Sequence, residues 1–137
     1  MLETGDIYLI RDFHNTGYDP HYQIVVHKTR SKDLIIVYPT TETAKAKKRC
    51  LRDSPHTPIG EDPTTYVEIP KGSCLSLPNH CAVNCDKAFK SSEADRESGM
   101  DFKKKGHKLS LVLLQKIVDG VKDSDVVEEY VKEALNL

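Results

Sequence analysis

The sequence of 137 residues has no apolar run long enough to cross a membrane, since a spanning helix needs about 20 consecutive apolar residues. Its first residues, Met-Leu-Glu-Thr-Gly, have neither the basic region nor the apolar region of a secretory signal. We therefore expect a cytoplasmic protein with no membrane partner.

Glycine-rich phosphate loops and the sequences H-E-x-x-H and G-x-S-x-G are also missing. These motifs hold nucleotide phosphates, a catalytic zinc ion or a nucleophilic serine, so their absence argues against an enzyme that depends on a cofactor. We expect no cofactor.

The four cysteines lack the paired C-x2-C spacing of common structural zinc sites. Cys81 and Cys85 could bind a metal together with His80, and a metal-binding protein remains an alternative. We favour Cys74, Cys81 and Cys85 as buried free thiols in or near strands, because free cysteine is among the most buried residue types. We therefore predict no metal site.

The net charge of −1 conceals an asymmetry along the chain. Residues 119–137 hold six acidic residues and two lysines, so residues 1–118 hold 18 basic and 15 acidic residues. Any nucleic-acid site must therefore be a local basic patch, because the protein surface as a whole carries no excess of positive charge.

β-rich segments crowd the first forty residues, and short connections between them are typical of an antiparallel meander. Pro39 ends the third segment, because proline cannot donate a hydrogen bond within a central ladder. Strands are predicted over residues 6–13, 21–28, 34–38, 65–69, 74–77 and 80–85.

Residues 40–64 contain three prolines and the basic run KAKKRCLR. A short helix could form over 41–50, but we interpret the whole stretch as a long functional loop. We expect this loop to be mobile and to lie over the groove of the predicted barrel. Helices are predicted over 108–120 and over 124–136, the second with Ser124 as its N-cap. Strands followed by helices favour one α+β domain over residues 1–137, a small antiparallel barrel with helices packed on one side.

Several polar residues are predicted to converge at one end of this barrel: His14, Asp19, His21, Thr40 and Thr41. A histidine or aspartate can transfer protons, and a hydroxyl can hold a phosphate oxygen. In RNA the 2′-hydroxyl supplies the nucleophile, so this set could cleave RNA without a metal. The basic runs 45–49 and 102–108 would hold the RNA backbone.

The order of the segments resembles that of the MazF/PemK-like toxins, which are endoribonucleases of toxin–antitoxin modules. GDIYLI resembles their G-[DE]-I-[WY] opening, and HYQIVVHKT stands where the family has R-P-V-[LIV]-[IV]-V. LIIVYPTT resembles the V-x-P-[IV]-T strand end, AVNCDKAFK resembles V-[VRL]-C-D-Q-[IVP]-R, and GHKLSLVLLQKIVDGV resembles the closing helix. The resemblance implies an SH3-like barrel, a homodimer, a cognate antitoxin and single-stranded RNA as substrate.

The resemblance also implies residue roles. Thr41 matches the family's phosphate-contacting threonine, Asp86 its acidic residue, and His21 stands at the position of a catalytic arginine. We predict sequence-selective cleavage without metal, with His21 as acid or base, Thr41 as phosphate donor and Asp86 as base or orienting group. The predicted RNA-binding residues are Lys45, Lys47, Lys48, Arg49 and Lys90.

The family arginines are missing at His21, Asn84 and Phe89. A guanidinium binds phosphate with two hydrogen bonds, which a neutral imidazole does not match. The alternative is therefore a degenerate module of the same fold that binds RNA or a protein without cleaving RNA.

Overall fold

In a computed structural model, the first three predicted strands form the centre of a five-stranded antiparallel sheet. The structure describes residues 1–11 and 19–137. The strand order is β7-β3-β2-β1-β8. These strands are β1 (Ile7–Arg11), β2 (His21–Lys28), β3 (Asp33–Val37), β7 (Phe89–Ser92) and β8 (Met100–Lys104).

A second antiparallel sheet has the order β4-β6-β5. Its strands are β4 (Pro39–Thr40), β5 (Tyr66–Ile69) and β6 (Cys81–Asn84). The chain passes from one sheet to the other at Tyr38, and Pro39 begins β4, a strand position that needs no donated ladder bond. Within the described ranges, the ladders give two separate sheets rather than one closed barrel.

Four α-helices accompany the sheets in the described part of the chain, so the α+β class is confirmed. They are α1 (Thr43–Asp53), α2 (Glu93–Glu97), α3 (Leu111–Asp123) and α4 (Glu129–Ala134). None of them is long and apolar enough to reach across a bilayer.

The prediction of a loop over 40–64 is wrong for residues 43–53, which form α1. Ala46 and Cys50 lie one helical turn apart and are buried against Tyr66 and Ala82. This contact with the second sheet stabilises a helix whose other residues are mainly polar. The strand predicted over 74–77 is also absent, because the amide of Leu77 donates to the carbonyl of Cys74 and closes a turn.

The main core lies between the two sheets and α3. Leu114, Ile117 and Val121 form the buried face of α3. Leu111 and Val112 are also apolar but lie off that face, 82% and 69% exposed. The helix begins after the N-cap Ser110, whose hydroxyl accepts the amide of Leu113.

The C-terminal segment differs from its prediction at its start. Ser124 does accept the amides of Val126 and Val127, both at 3.1 Å, as an N-cap does. The regular helix begins only at Glu129. Ser124 therefore closes the turn between α3 and α4.

Candidate functional site

A cleft of about 830 Å³ opens where the two sheets part. Its walls come from the start of β2, the β3–β4 junction, α1 and the end of β6. His21, Thr40 and Thr41 all line it, so the predicted convergence of these three residues is observed. His14 lies outside the described residues, and Asp19 is exposed and does not line the cleft.

The turn after β4 orients the threonines. Thr40 pairs with Ala82 of β6, and its hydroxyl oxygen accepts the amide of Glu42 at 3.1 Å. This bond fixes the turn that leads into α1 and leaves Thr41 exposed at the rim. His21 is exposed at the first position of β2, where it pairs with Ile10.

One face of α1 forms the basic wall of the cleft. Glu42, Lys45, Ala46 and Arg49 all line the cleft, as the spacing i, i+3, i+4, i+7 requires of one helical face. Lys45 lies 3.6 Å from Glu42, but both side chains are mostly exposed, so this ion pair contributes little stability. Lys87 lines the cleft near the end of β6. We call Lys45, Arg49 and Lys87 the cleft cations.

Aromatic rings form another part of the cleft surface. Tyr22, Tyr38 and Phe89 line it, and the rings of Tyr38 and Phe89 stack with centroids 5.1 Å apart and planes 19° apart. Aromatic faces stack against nucleobases with little dependence on sequence. Lys105, from the basic run 102–108, lies over the ring of Tyr22 at 6.0 Å.

Asp86 does not line the cleft. It lies in a 3₁₀ helix, Cys85–Lys87, with its side chain buried behind the cleft wall. The Ser124 hydroxyl donates to its Oδ1 at 2.5 Å. Burial raises the pKa of Asp86, and the bond from Ser124 opposes that shift.

Three of the predicted RNA-binding residues also lie away from the cleft lining. Lys47 contacts Asp62 at 2.7 Å and lies over the ring of Tyr66; the hydrogen bond to Asp62 raises the pKa of Lys47. Lys90 lies 3.7 Å from Asp33 across the β3–β7 ladder. Lys48 is exposed on α1.

Lys87 and the aromatic residues of the cleft were not predicted from the sequence. Lys87 directly follows Cys85-Asp86 in the sequence, so its position next to the predicted site residue Asp86 could have identified it. The stacking of Tyr38 on Phe89 joins residues 51 positions apart, which no local pattern predicts.

All four cysteines are buried, as predicted for Cys74, Cys81 and Cys85, and they lie in different elements. Cys50 belongs to α1, Cys81 to β6 and Cys85 to the 3₁₀ helix, whereas Cys74 lies in a turn. Burial raises the pKa of Cys50 and of Cys81 to about 11. Among residues 1–11 and 19–137, no three His, Cys, Asp or Glu side chains are grouped so that they could hold a metal ion.

A solved endoribonuclease in complex with its cognate antitoxin, from a mycobacterial species, has a similar structure. The TM-score is 0.51, and the alignment covers 89% of this chain and 92% of that chain at 16% identity. The two chains share a fold. No protein-family model and no curated protein sequence matches this chain.

Proposed function

We propose that this protein is a MazF/PemK-like endoribonuclease toxin that cleaves single-stranded RNA without a metal and is held in check by a cognate antitoxin. One observation carries the proposal: His21, Thr41 and the cleft cations line a single cleft together with aromatic rings. The shared fold with an endoribonuclease that was solved with its antitoxin supports it. The two sheets would then be the halves of an SH3-like barrel, and the toxin would act in the cytoplasm as a homodimer.

In this proposal the 2′-oxygen of RNA attacks the adjacent phosphorus, and the bond from phosphorus to the 5′-oxygen breaks. The products are a 2′,3′-cyclic phosphate and a 5′-hydroxyl. His21 transfers a proton as base or acid, and the Thr41 hydroxyl donates to a phosphate oxygen. No metal is required, because the nucleophile belongs to the substrate.

Arg49 offers the guanidinium that β2 lacks in this chain. It lines the cleft from α1 and is half-buried there. A guanidinium can stabilise the charge that develops on the phosphate through two hydrogen bonds. Arg49 would thus take the part of the arginine that His21 replaces. Asp86, buried behind the wall, would act by orienting its neighbours.

The test is cleavage of a fluorogenic RNA of mixed sequence by the wild type and by single variants. His21→Ala should lower turnover by about 10²-fold or more, the usual effect of losing an acid–base group. Thr41→Val and Arg49→Gln should also lower it. Arg52→Gln is the matched control, since Arg52 lies on the same helix, pairs with Asp53 and does not line the cleft.

Two further arms test the chemistry. Activity should survive EDTA, and a substrate with 2′-deoxyribose at every position should resist cleavage. Mapping of the cut sites would measure sequence selectivity, and sedimentation equilibrium should give a dimer at tens of micromolar. A wild type that binds RNA but never cleaves it would contradict the enzyme and favour the degenerate binding module.

A further inference from the structure

The 3₁₀ helix separates the cleft from the C-terminal segment. Asn84, its N-cap, and Lys87, its last residue, line the cleft, whereas Asp86 faces inward and is 8% exposed. The Asn84 side-chain oxygen accepts the amide of Asp86 at 2.9 Å. The position of Asp86 is therefore coupled to two residues of the cleft wall.

In the hydrogen bond between Ser124 and Asp86, the Ser124 hydroxyl is the donor. Its hydroxyl accepts the amides of Val126 and Val127, and a hydroxyl has one proton and two lone pairs. Because both lone pairs are engaged, the proton must point to Asp86. Ser124 is fully buried, so water does not compete for this bond.

The carboxylate of Asp86 depends on Ser124. Its other oxygen, Oδ2, has no hydrogen-bond partner within the described ranges. The preceding residue, Cys85, packs tightly against α3, since a methyl group added at Gly120 would lie 2.7 Å from the Cys85 sulfur. The 3₁₀ helix thus rests on α3, and its Asp86 carboxylate is held by one directed hydrogen bond.

We propose that Ser124 is a positioning residue for the cleft: by holding Asp86 it fixes the 3₁₀ helix so that Lys87 meets a phosphate of bound single-stranded RNA. The inference rests on the proposed function for its ligand. It makes the turn between α3 and α4 part of the RNA-binding apparatus, although Ser124 never touches RNA.

The test measures binding of a 2′-O-methyl oligoribonucleotide, which cannot be cleaved, over a range of salt concentrations. Each phosphate contact on a single strand contributes about −0.7 to the slope of log K against log salt. Lys87→Gln and Ser124→Ala should each reduce the magnitude of the wild-type slope by about 0.7, and the double variant should reduce it no further.

Ser110→Ala is the matched control, because Ser110 caps α3 with the same type of bond and does not contact Asp86. It should keep the wild-type slope. Asp86→Asn retains an oxygen opposite Ser124 and should lose less of the slope than Asp86→Ala, which keeps the inference testable if Ser124→Ala folds poorly.

An unchanged slope in Ser124→Ala, or additive losses in the double variant, would overturn the inference. The outcome is separable from that of the proposed function. If the wild type does not cleave RNA but the two slopes fall together, the enzyme is refuted and the positioning role is supported.

Discussion

Glu93 should be among the most costly polar residues to replace. It begins α2, and its Oε2 accepts the Lys28 ammonium at 2.6 Å and the amide of Leu2 at 3.0 Å. The Lys28 and Glu93 side chains are 14% and 10% exposed. Replacing Glu93 with glutamine removes the charge and leaves the lysine ammonium buried without its main partner.

Breaking a buried ion pair by changing one partner lowers the free energy of unfolding by about 3–5 kcal/mol. We expect about 3 kcal/mol for Glu93→Gln, since part of each side chain still meets water and glutamine can accept one of the bonds. With an unfolding entropy of about 2.1 cal/mol/K per residue, the 137 residues give a fall in Tm of about 10 °C.

Urea denaturation followed by circular dichroism at pH 7 would measure the loss. Glu97→Gln is the control, because Glu97 pairs at 2.8 Å with the exposed N-terminal ammonium and should cost less than about 1 kcal/mol. The bond to Lys28 lowers the pKa of Glu93. Its contribution is therefore complete above the ordinary glutamate value of about 4.3 and disappears as the pH falls through the lowered value. A cost no larger than that of Glu97→Gln, or one that is equal at pH 7 and pH 2, would refute the reasoning.

Other substitutions test the packing, the buried carboxylate and the cleft. Gly120→Ala would place a methyl group 2.6 Å from a backbone oxygen and 2.7 Å from the thiol of Cys85. Urea denaturation should therefore show a free energy of unfolding lower by about 1–3 kcal/mol. Gly106→Ala is the control, because its methyl group would lie in open space and should change the free energy of unfolding little. Burial raises the pKa of Asp86, so stability falls as the pH rises above the ordinary aspartate value of about 3.9; Asp86→Asn should be at least as stable as wild type at pH 7 and lose this relative gain at pH 3. If the three cleft cations each meet a phosphate, short single-stranded RNA should bind with a salt slope of about −2, and a slope near zero would contradict this.

The sequence predicts the centre of the fold better than its edges. β2 and β3 are apolar enough to identify, because both of their faces are covered. The edge strands β7 and β8, FKSS and MDFKK, are polar or exposed along most of their length, so the sequence pattern predicts no strand at either place. α1 was obscured for a different reason: only Ala46 and Cys50 are buried along it, and their partners come from distant strands.

The residues of the site were predictable where a polar side chain lies at the end of a predicted strand. His21 and Thr41 stand at such ends, and both reach the cleft. The place of Asp86 was not predictable from spacing, since its orientation depends on Ser124, 38 residues further along the chain. Lys47 was predicted from its basic run and Lys90 from its place beside the position of a family arginine. Neither signal indicates that a carboxylate lies within 4 Å of each lysine.

The burial of all four thiols makes alkylation kinetics a measure of local opening. Only a thiolate reacts readily, and burial raises the thiol pKa of Cys50 and Cys81 to about 11. Near neutral pH, a reagent such as iodoacetamide would modify each cysteine mainly when its surroundings separate. Cys50 would report detachment of α1 from the second sheet, and Cys85 would report lifting of α3. The order in which the four sites become labelled would rank the local stability of the elements that hold them, without any introduced cysteine.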